Sequence, residues 1–177
     1  MVCCVTGNRP KKFPFKREKG NDKFDLYKTR LDYEIELLIK YGYDEFISGM
    51  AEGADLDFAE SVIRYRNNGS YITFEAALPY PLKKTNKKYG YNIKKIILLN
   101  SADKETVISK NYYRGCMQKR NEYMVDKSNL VLAIWNGDKS GGTWNTIKYA
   151  IKKGKNIRYI MLNENNWHWD EELEEML

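Results

Sequence analysis

The chain is predicted to fold as a single α/β domain, with a mostly parallel sheet and helices on both faces. Three observations predict this. Short apolar runs alternate with amphipathic stretches along the sequence, as they do in strand–helix–strand units. Three of these runs end in small residues that open a helical pattern, the form of a strand-to-helix turn in a parallel sheet. No linker or long repeat divides the chain.

The elements follow in order. A strand near residues 2–6 leads into a loop rich in Lys, Phe and Pro and then a helix near 22–41. Phe24, Tyr27, Leu31, Ile35 and Leu38 give that helix an apolar stripe. A strand near 44–48 precedes a helix near 54–67, with Phe58, Ala59 and Val62 expected to face the sheet. A strand near 71–78 ends at Pro79-Tyr80-Pro81, a short helical stretch near 89–100 follows, and then a strand near 104–108. A helix near 112–127 places Tyr113, Met117, Arg120 and Met124 on one face. A strand at 129–135, a helix at 143–153 and a strand near 156–162 complete the body. The domain is expected to span 1–163, with 164–177 as an acidic tail.

Composition narrows the function classes. Of 177 residues 42% are hydrophobic, too many for disorder and too interrupted for a membrane span. No charged-then-apolar leader precedes Val2, so a cytoplasmic location and no membrane association are expected. Cys3, Cys4 and Cys116 lack zinc spacing and His168 is the only histidine, so no metal site and no required cofactor are expected. The last fourteen residues carry a charge of −6, which leaves +12 on the body of a chain whose net charge is +6. Basic residues crowd into Arg9 to Lys28 and into Lys83 to Lys95. That charge admits nucleic acid as a partner; the alternative is a solvated lysine-rich surface.

The strongest local signal is Asp138-Lys-Ser-Gly-Gly-Thr-Trp-Asn-Thr-Ile-Lys-Tyr-Ala150, which follows the apolar run Leu130–Trp135. Glycines let a backbone approach a ligand, and the first N–H groups of a helix favour an anion. Val2–Thr6 running into Gly7-Asn8-Arg9-Pro10, and Phe46–Ser48 running into Gly49-Met50-Ala51-Glu52-Gly53-Ala54-Asp55, repeat the pattern. In a parallel sheet all three turns emerge at the carboxyl edge, where one crevice would hold a ligand. Neither the dinucleotide fingerprint nor a Walker lysine motif is present.

Thr6-Gly7-Asn8-Arg9-Pro10, Ser48 to Asp55, Arg120-Asn121 with Met124-Val125-Asp126, and Gly141-Gly142-Thr143 resemble the YpsA-like branch of the SLOG superfamily. The resemblance runs from Val2 to about Leu162. It implies a modified Rossmann-like fold that binds nucleotides or nucleotide-derived ligands, often as a sensor in bacterial conflict systems. The superfamily is also similar to the LOG phosphoribohydrolases and to the Rossmann-like domain of DprA. LOG enzymes resemble P-G-G-x-G-T-x-x-E, and here Ser140 precedes the glycines and no carboxylate follows in the next turn. Cleavage of a glycosidic bond needs a carboxylate or similar group. Glu52, Asp55 or Asp138 could substitute from other loops, but nothing in the sequence demands it, so no catalytic residue is assigned.

The candidate ligand-binding residues are Gly7, Arg9, Ser48, Gly49, Gly53, Asp55, Arg120, Asn121, Gly141, Gly142 and Thr143. Arg9 offers a fork of donors to a phosphate or base edge; Ser48 donates to a ribose or phosphate, or to its own turn. Asp55 favours a helix N-terminus on stability grounds, with ribose binding as the alternative. Arg120 interrupts an apolar stripe and needs a partner, for which Asp126 and Glu52 are the candidates. Asn121 reads a base or ribose, or caps neighbouring helices. Trp135, Trp144 and Tyr80 serve either as stacking platforms or as core. The leading expectation is a protein that senses or sequesters a phosphate-bearing nucleotide or an ADP-ribose or NAD-derived ligand, as a homo-oligomer. The alternatives are a nucleotide N-glycosidase of LOG type and single-stranded nucleic-acid binding along Lys83–Lys95, where Tyr80, Tyr89 and Tyr91 lie among lysines.

Overall fold

A computed structural model of the chain describes residues 1–81 and 93–163. The described residues form one six-stranded sheet flanked by five helices, in the order β1 (Val2–Gly7), α1 (Asp22–Lys40), β2 (Glu45–Ser48), α2 (Ala54–Asn67), β3 (Thr73–Leu78), α3 (Ile93–Asn100), β4 (Lys104–Val107), α4 (Cys116–Lys127), β5 (Leu130–Trp135), α5 (Gly141–Lys152) and β6 (Asn156–Met161). A single 3-10 turn, Pro10–Lys12, follows β1. Every strand pair is parallel, in the spatial order β4-β3-β2-β1-β5-β6. The predicted sheet is therefore wholly parallel.

The strands are apolar without alternation because both of their faces are covered. In β5 all six residues are buried. Successive residues of β1 go to opposite layers: Cys3 and Val5 pack with α1 and α2, through Tyr27, Leu31, Ile35 and Phe58. Cys4 lies in the other layer with Ile47, Val131, Met124, Val125 and Ala150, from α4 and α5. Cys3, Cys4 and Cys116 are all buried and free of disulfides. Burial pushes the Cys4 thiol up to about 12, so it behaves as a small hydrophobe.

Helix starts are set by local chemistry. The Asn21 side chain accepts from the Phe24 N–H at 3.2 Å and caps α1, with Asp22 and Asp25 in its first turn. The stripe of α1 is as predicted, with Tyr27, Leu31, Ile35 and Leu38 buried and Phe24 packed against them. Helix α4 begins at Cys116 rather than near 112, because Gly115 adopts the left-handed conformation at φ 102° and breaks the backbone there. Tyr113 therefore lies before the helix and is exposed, as is Met117. Arg120 and Met124 are the buried members of that predicted stripe. Helix α5 begins two residues early, at Gly141. Of the helical stretch predicted at 89–100, residues 93–100 form α3; 89–92, most of Lys83–Lys95 and the tail 164–177 lie outside the described residues. No described helix is long and apolar enough to cross a membrane.

Candidate ligand-binding crevice

The strand order marks where a ligand crevice is expected. The chain lays down β1, moves outward through β2, β3 and β4, then returns to the other side of β1 as β5. The connections leaving β1 and β5 therefore part company, and at such a reversal ligands bind outside the carboxyl ends. Two asparagines bridge the two loops there. The Asn136 N–H donates to Asn8 Oδ1 at 2.9 Å, and Asn8 Nδ2 donates to Asn136 Oδ1 at 3.4 Å. Asn136 Nδ2 also donates to the Lys12 carbonyl at 3.1 Å. Asn8 is buried, so these bonds satisfy an amide that would be costly to leave unpaired.

Three of the predicted glycines are needed for close packing. A Cβ on Gly7 would overlap the Ala54 side chain of α2, which lets the start of α2 abut the end of β1. Gly53, at φ 101°, lies against Asn8, Arg9 and Pro10, and the Ala54 N–H donates to the Asn8 carbonyl at 3.2 Å. Gly49 makes room for the guanidinium of Arg120. Between them, Met50 is the sole described non-glycine residue at positive φ, 55°, and is fully buried. Such a backbone persists only where its surroundings hold it. Ser48 helps to hold it: its hydroxyl donates to the Asp55 carbonyl at 2.8 Å and accepts from the Met50 N–H at 3.1 Å. Ser48 is fully buried and is used in the turn.

Arg120 finds different partners from those its sequence neighbours suggest. Its Nη1 donates to the carbonyls of Gly49 and, at 3.2 Å, Ala77, so it joins the carboxyl ends of β2 and β3 to α4. Its Nε donates to Asn121 Oδ1 at 2.8 Å. Asp126 instead accepts from Lys153 at 2.8 Å and from the Tyr149 hydroxyl. The carboxylate that acts on Arg120 is Asp55.

Asp55 is the negative centre of this edge. Burial pushes its carboxyl above the usual range, and Arg120 and then Arg9 pull the other way. Its Oδ2 accepts the Ala51 N–H at 3.3 Å. Half-buried Lys95, on α3, feels the same field. Burial lowers its ammonium below the ordinary value, and the like charges of Arg120 and Arg9 lower it further, against Asp55 and Glu52. Arg9, Arg120 and Lys95 thus all feel the charge of Asp55.

The start of α5 forms the other wall. Ser140 is the N-cap residue, yet its side chain does not cap the helix. Its hydroxyl donates to Asp138 Oδ2 at 2.9 Å, and Lys12 Nζ donates to that same oxygen at 2.6 Å. A side chain on Gly142 would meet nothing within 4 Å, so the backbone of the first turn stands open. The Thr143 hydroxyl donates to the Gly7 carbonyl at 3.0 Å and fixes α5 to β1. Asn121 Nδ2 donates to Thr146 Oγ1 at 2.8 Å, which in turn donates to the Gly142 carbonyl at 2.9 Å. Asn121 is therefore a strut between α4 and α5. Trp144 stacks on Trp135 with ring centroids 5.4 Å apart and planes within 7°. Tyr80 packs edge-on against Tyr112.

All eleven predicted residues thus lie along one sheet edge, in two groups. Gly49, Ser48, Asp55, Arg120 and the exposed Arg9 belong to the charged wall; Gly141, Gly142, Thr143 and Asn121 belong to the α5 wall, with Gly7 and Gly53 packed at the base. Sequence reasoning missed Asn8, Asn136, Lys12 and Lys95. Asn8 stood within a quoted motif, but Asn136 and Lys12 carry no local signal and meet their partners across more than a hundred residues.

The YpsA model, described as the YspA SLOG family, matches residues 3–165. The chain belongs to this SLOG family. Among its relatives, UPF0398 protein BH1768 of Halalkalibacterium halodurans is 27% identical to it over 146 residues, covering 79% of this chain and 77% of that protein. The SPbeta prophage-derived protein YoqJ of Bacillus subtilis, itself uncharacterized, is 31% identical over 131 residues, 66% of this chain and 75% of YoqJ. DNA processing protein A from Helicobacter pylori, studied for its single-stranded DNA binding mode, superposes with a TM-score of 0.61 at 17% identity, covering 99% of this chain and 71% of that one. At that identity the SLOG chain and DNA processing protein A share a fold.

Proposed function

We propose that the crevice binds a phosphate-bearing nucleotide or an ADP-ribose or NAD-derived ligand, and senses or sequesters it without cleaving it. One observation carries the reading: Arg9, Lys95 and Arg120 act on a single buried carboxylate, Asp55, at the carboxyl edge of the sheet. Arg120 is buried and Lys95 half-buried, and cations partly withdrawn from water gain from an anionic ligand. The open first turn of α5 adds N–H groups and the positive end of a helix dipole at the strand-order reversal. Arg9 is exposed and supplies a planar fork of donors. The like-folded protein from Helicobacter pylori takes a phosphodiester ligand, single-stranded DNA, which supports phosphate recognition on this scaffold.

Binding without cleavage is supported by the acids nearby. Asp138 is held by Lys12 and Ser140, and Asp55 is buried against the Ala51 N–H. A change of assembly on binding is the readout that fits a homo-oligomeric sensor. Thermal shift tests the reading against AMP, NAD, ADP-ribose and cyclic dinucleotides, with inorganic phosphate as the charge-only control. A ligand at 100 times its Kd stabilises by about 2.7 kcal/mol, a shift that Arg9→Ala should cut by about half or more. No shift across the panel refutes binding, and free base released in the same mixtures refutes the absence of cleavage.

A further inference from the structure

The segment between β4 and α4 leaves the same sheet edge at its β3–β4 end, where the Ile108 N–H donates to the Leu78 carbonyl at 2.9 Å. From Thr106 to Asn121 the sequence holds no acid. Lys110, Arg114 and Lys119 are exposed there, and among the described residues none of them forms an ion pair. Several lysines elsewhere do reach a carboxylate, among them Lys28, Lys94, Lys104, Lys127 and Lys153; in this segment the cations stand together in a run without any acid. Between the unmatched cations stand Tyr112, 68% exposed, and Tyr113, 47% exposed. Tyr112 packs against Tyr80 in a T-shaped pair, ring centroids 5.6 Å apart at 88°, so its ring is braced while most of it stays in solvent.

We propose that this segment is a binding surface for single-stranded nucleic acid, with Tyr112 and Tyr113 stacking on bases while Lys110 and Arg114 track the backbone. Unmatched cations attract a polyanion, and exposed rings among them offer faces on which bases stack. A duplex turns its bases inward and offers the rings nothing, whereas a single strand supplies phosphates and open π-faces together. The surface is built from residues other than the Lys83–Lys95 stretch, Arg9 and the start of α5.

Fluorescence anisotropy of a fluorescein-labelled oligothymidylate with the full chain tests the proposal. The wild type binds at low salt and weakens steeply as salt rises. Y112A/Y113A weakens binding about ten-fold or more, the size of stacking losses, with an unchanged melting temperature because both rings are exposed. Lys110→Gln with Arg114→Gln lowers the salt slope by roughly one to two. A duplex of the same length binds more weakly than the single strand. Arg9→Ala leaves oligonucleotide binding intact, so the small-ligand reading fails or stands separately. The proposal is overturned by absence of binding at low salt, or by Y112A/Y113A binding as the wild type does. It is equally overturned if that variant dissociates a dimer in sedimentation while keeping the oligonucleotide, which would mark a face between copies.

Discussion

The guanidinium of Arg120 occupies the space that a side chain at residue 49 would need. Gly49 and Arg120 are 71 residues apart in sequence, and the arginine donates to the carbonyl of that same glycine. The ends of β2 and β3, the turn that follows β2 and the first half of α4 are therefore set by one interlocked pair.

This pairing predicts a non-additive response. Gly49→Ala should destabilise the protein by about 1–3 kcal/mol through overpacking. Arg120→Ala should cost about 1–3 kcal/mol, because it leaves the carbonyls of Gly49 and Ala77 without this buried donor and removes a cation that opposes the burial of Asp55. In the double variant the alanine at 49 has room, so urea denaturation should give a loss smaller than the two single losses together. Strict additivity would mean that the two residues do not share this space.

Arg9 should separate binding from stability. It is exposed, so Arg9→Ala is expected within about 0.5 kcal/mol of the wild type by thermal melt. Loss of its charge-assisted bonds should weaken a phosphate ligand by about ten-fold or more in calorimetry. Equal affinity for wild type and variant would remove Arg9 from the site.

Asp138 holds Lys12 and Ser140, and in the proposed site it would compete with an anionic ligand for them. Asp138→Asn should release the lysine and free the serine to cap α5, and so raise the affinity for phosphate-bearing ligands. The gain should shrink as salt rises, since the carboxylate is exposed and screening acts on it fully. Titrations at two ionic strengths check both statements.

Acid stability should report on Glu75, in β3. Burial alone would raise its pKa, but Lys127 at 2.5 Å, Tyr123 at 2.6 Å and Lys104 at 3.2 Å hold its carboxyl down to about 2. The folded value lies below the unfolded 4.5, so this stability is present above pH 4.5. It is lost as pH falls through 4.5 toward 2, and amounts to about 3 kcal/mol. Glu75→Gln should flatten the acid limb of stability over that window; an unchanged limb would locate acid sensitivity elsewhere.

The fold was largely legible because burial on both faces of a parallel sheet removes alternation from the strands. Runs such as Leu130–Trp135 then stand out against the period of the helices. The turns at Gly7, Gly49 and Gly141 were found for the same reason, each ending an apolar run. What the glycines do was less legible. Gly7 and Gly49 admit Ala54 and Arg120 rather than only backbone, and close approach between distant residues leaves no trace in local composition. Spacing along α4 suggested Asp126 for Arg120, but the ion pair went to Lys153 and the arginine turned to strand ends. Gly115 alone moved the start of α4, and with it placed Tyr113 in solvent.

The asparagine clasp between Asn8 and Asn136 has a consequence for selectivity. It pins the two diverging loops at a set separation, and its second strap to the Lys12 carbonyl holds the floor of the cleft as well. On the proposed binding reading, loops tied in this way would sort guests by shape on arrival and would not mould themselves around them. Little conformational entropy would then be spent on docking, and a guest too wide for the gap would be turned away at the threshold.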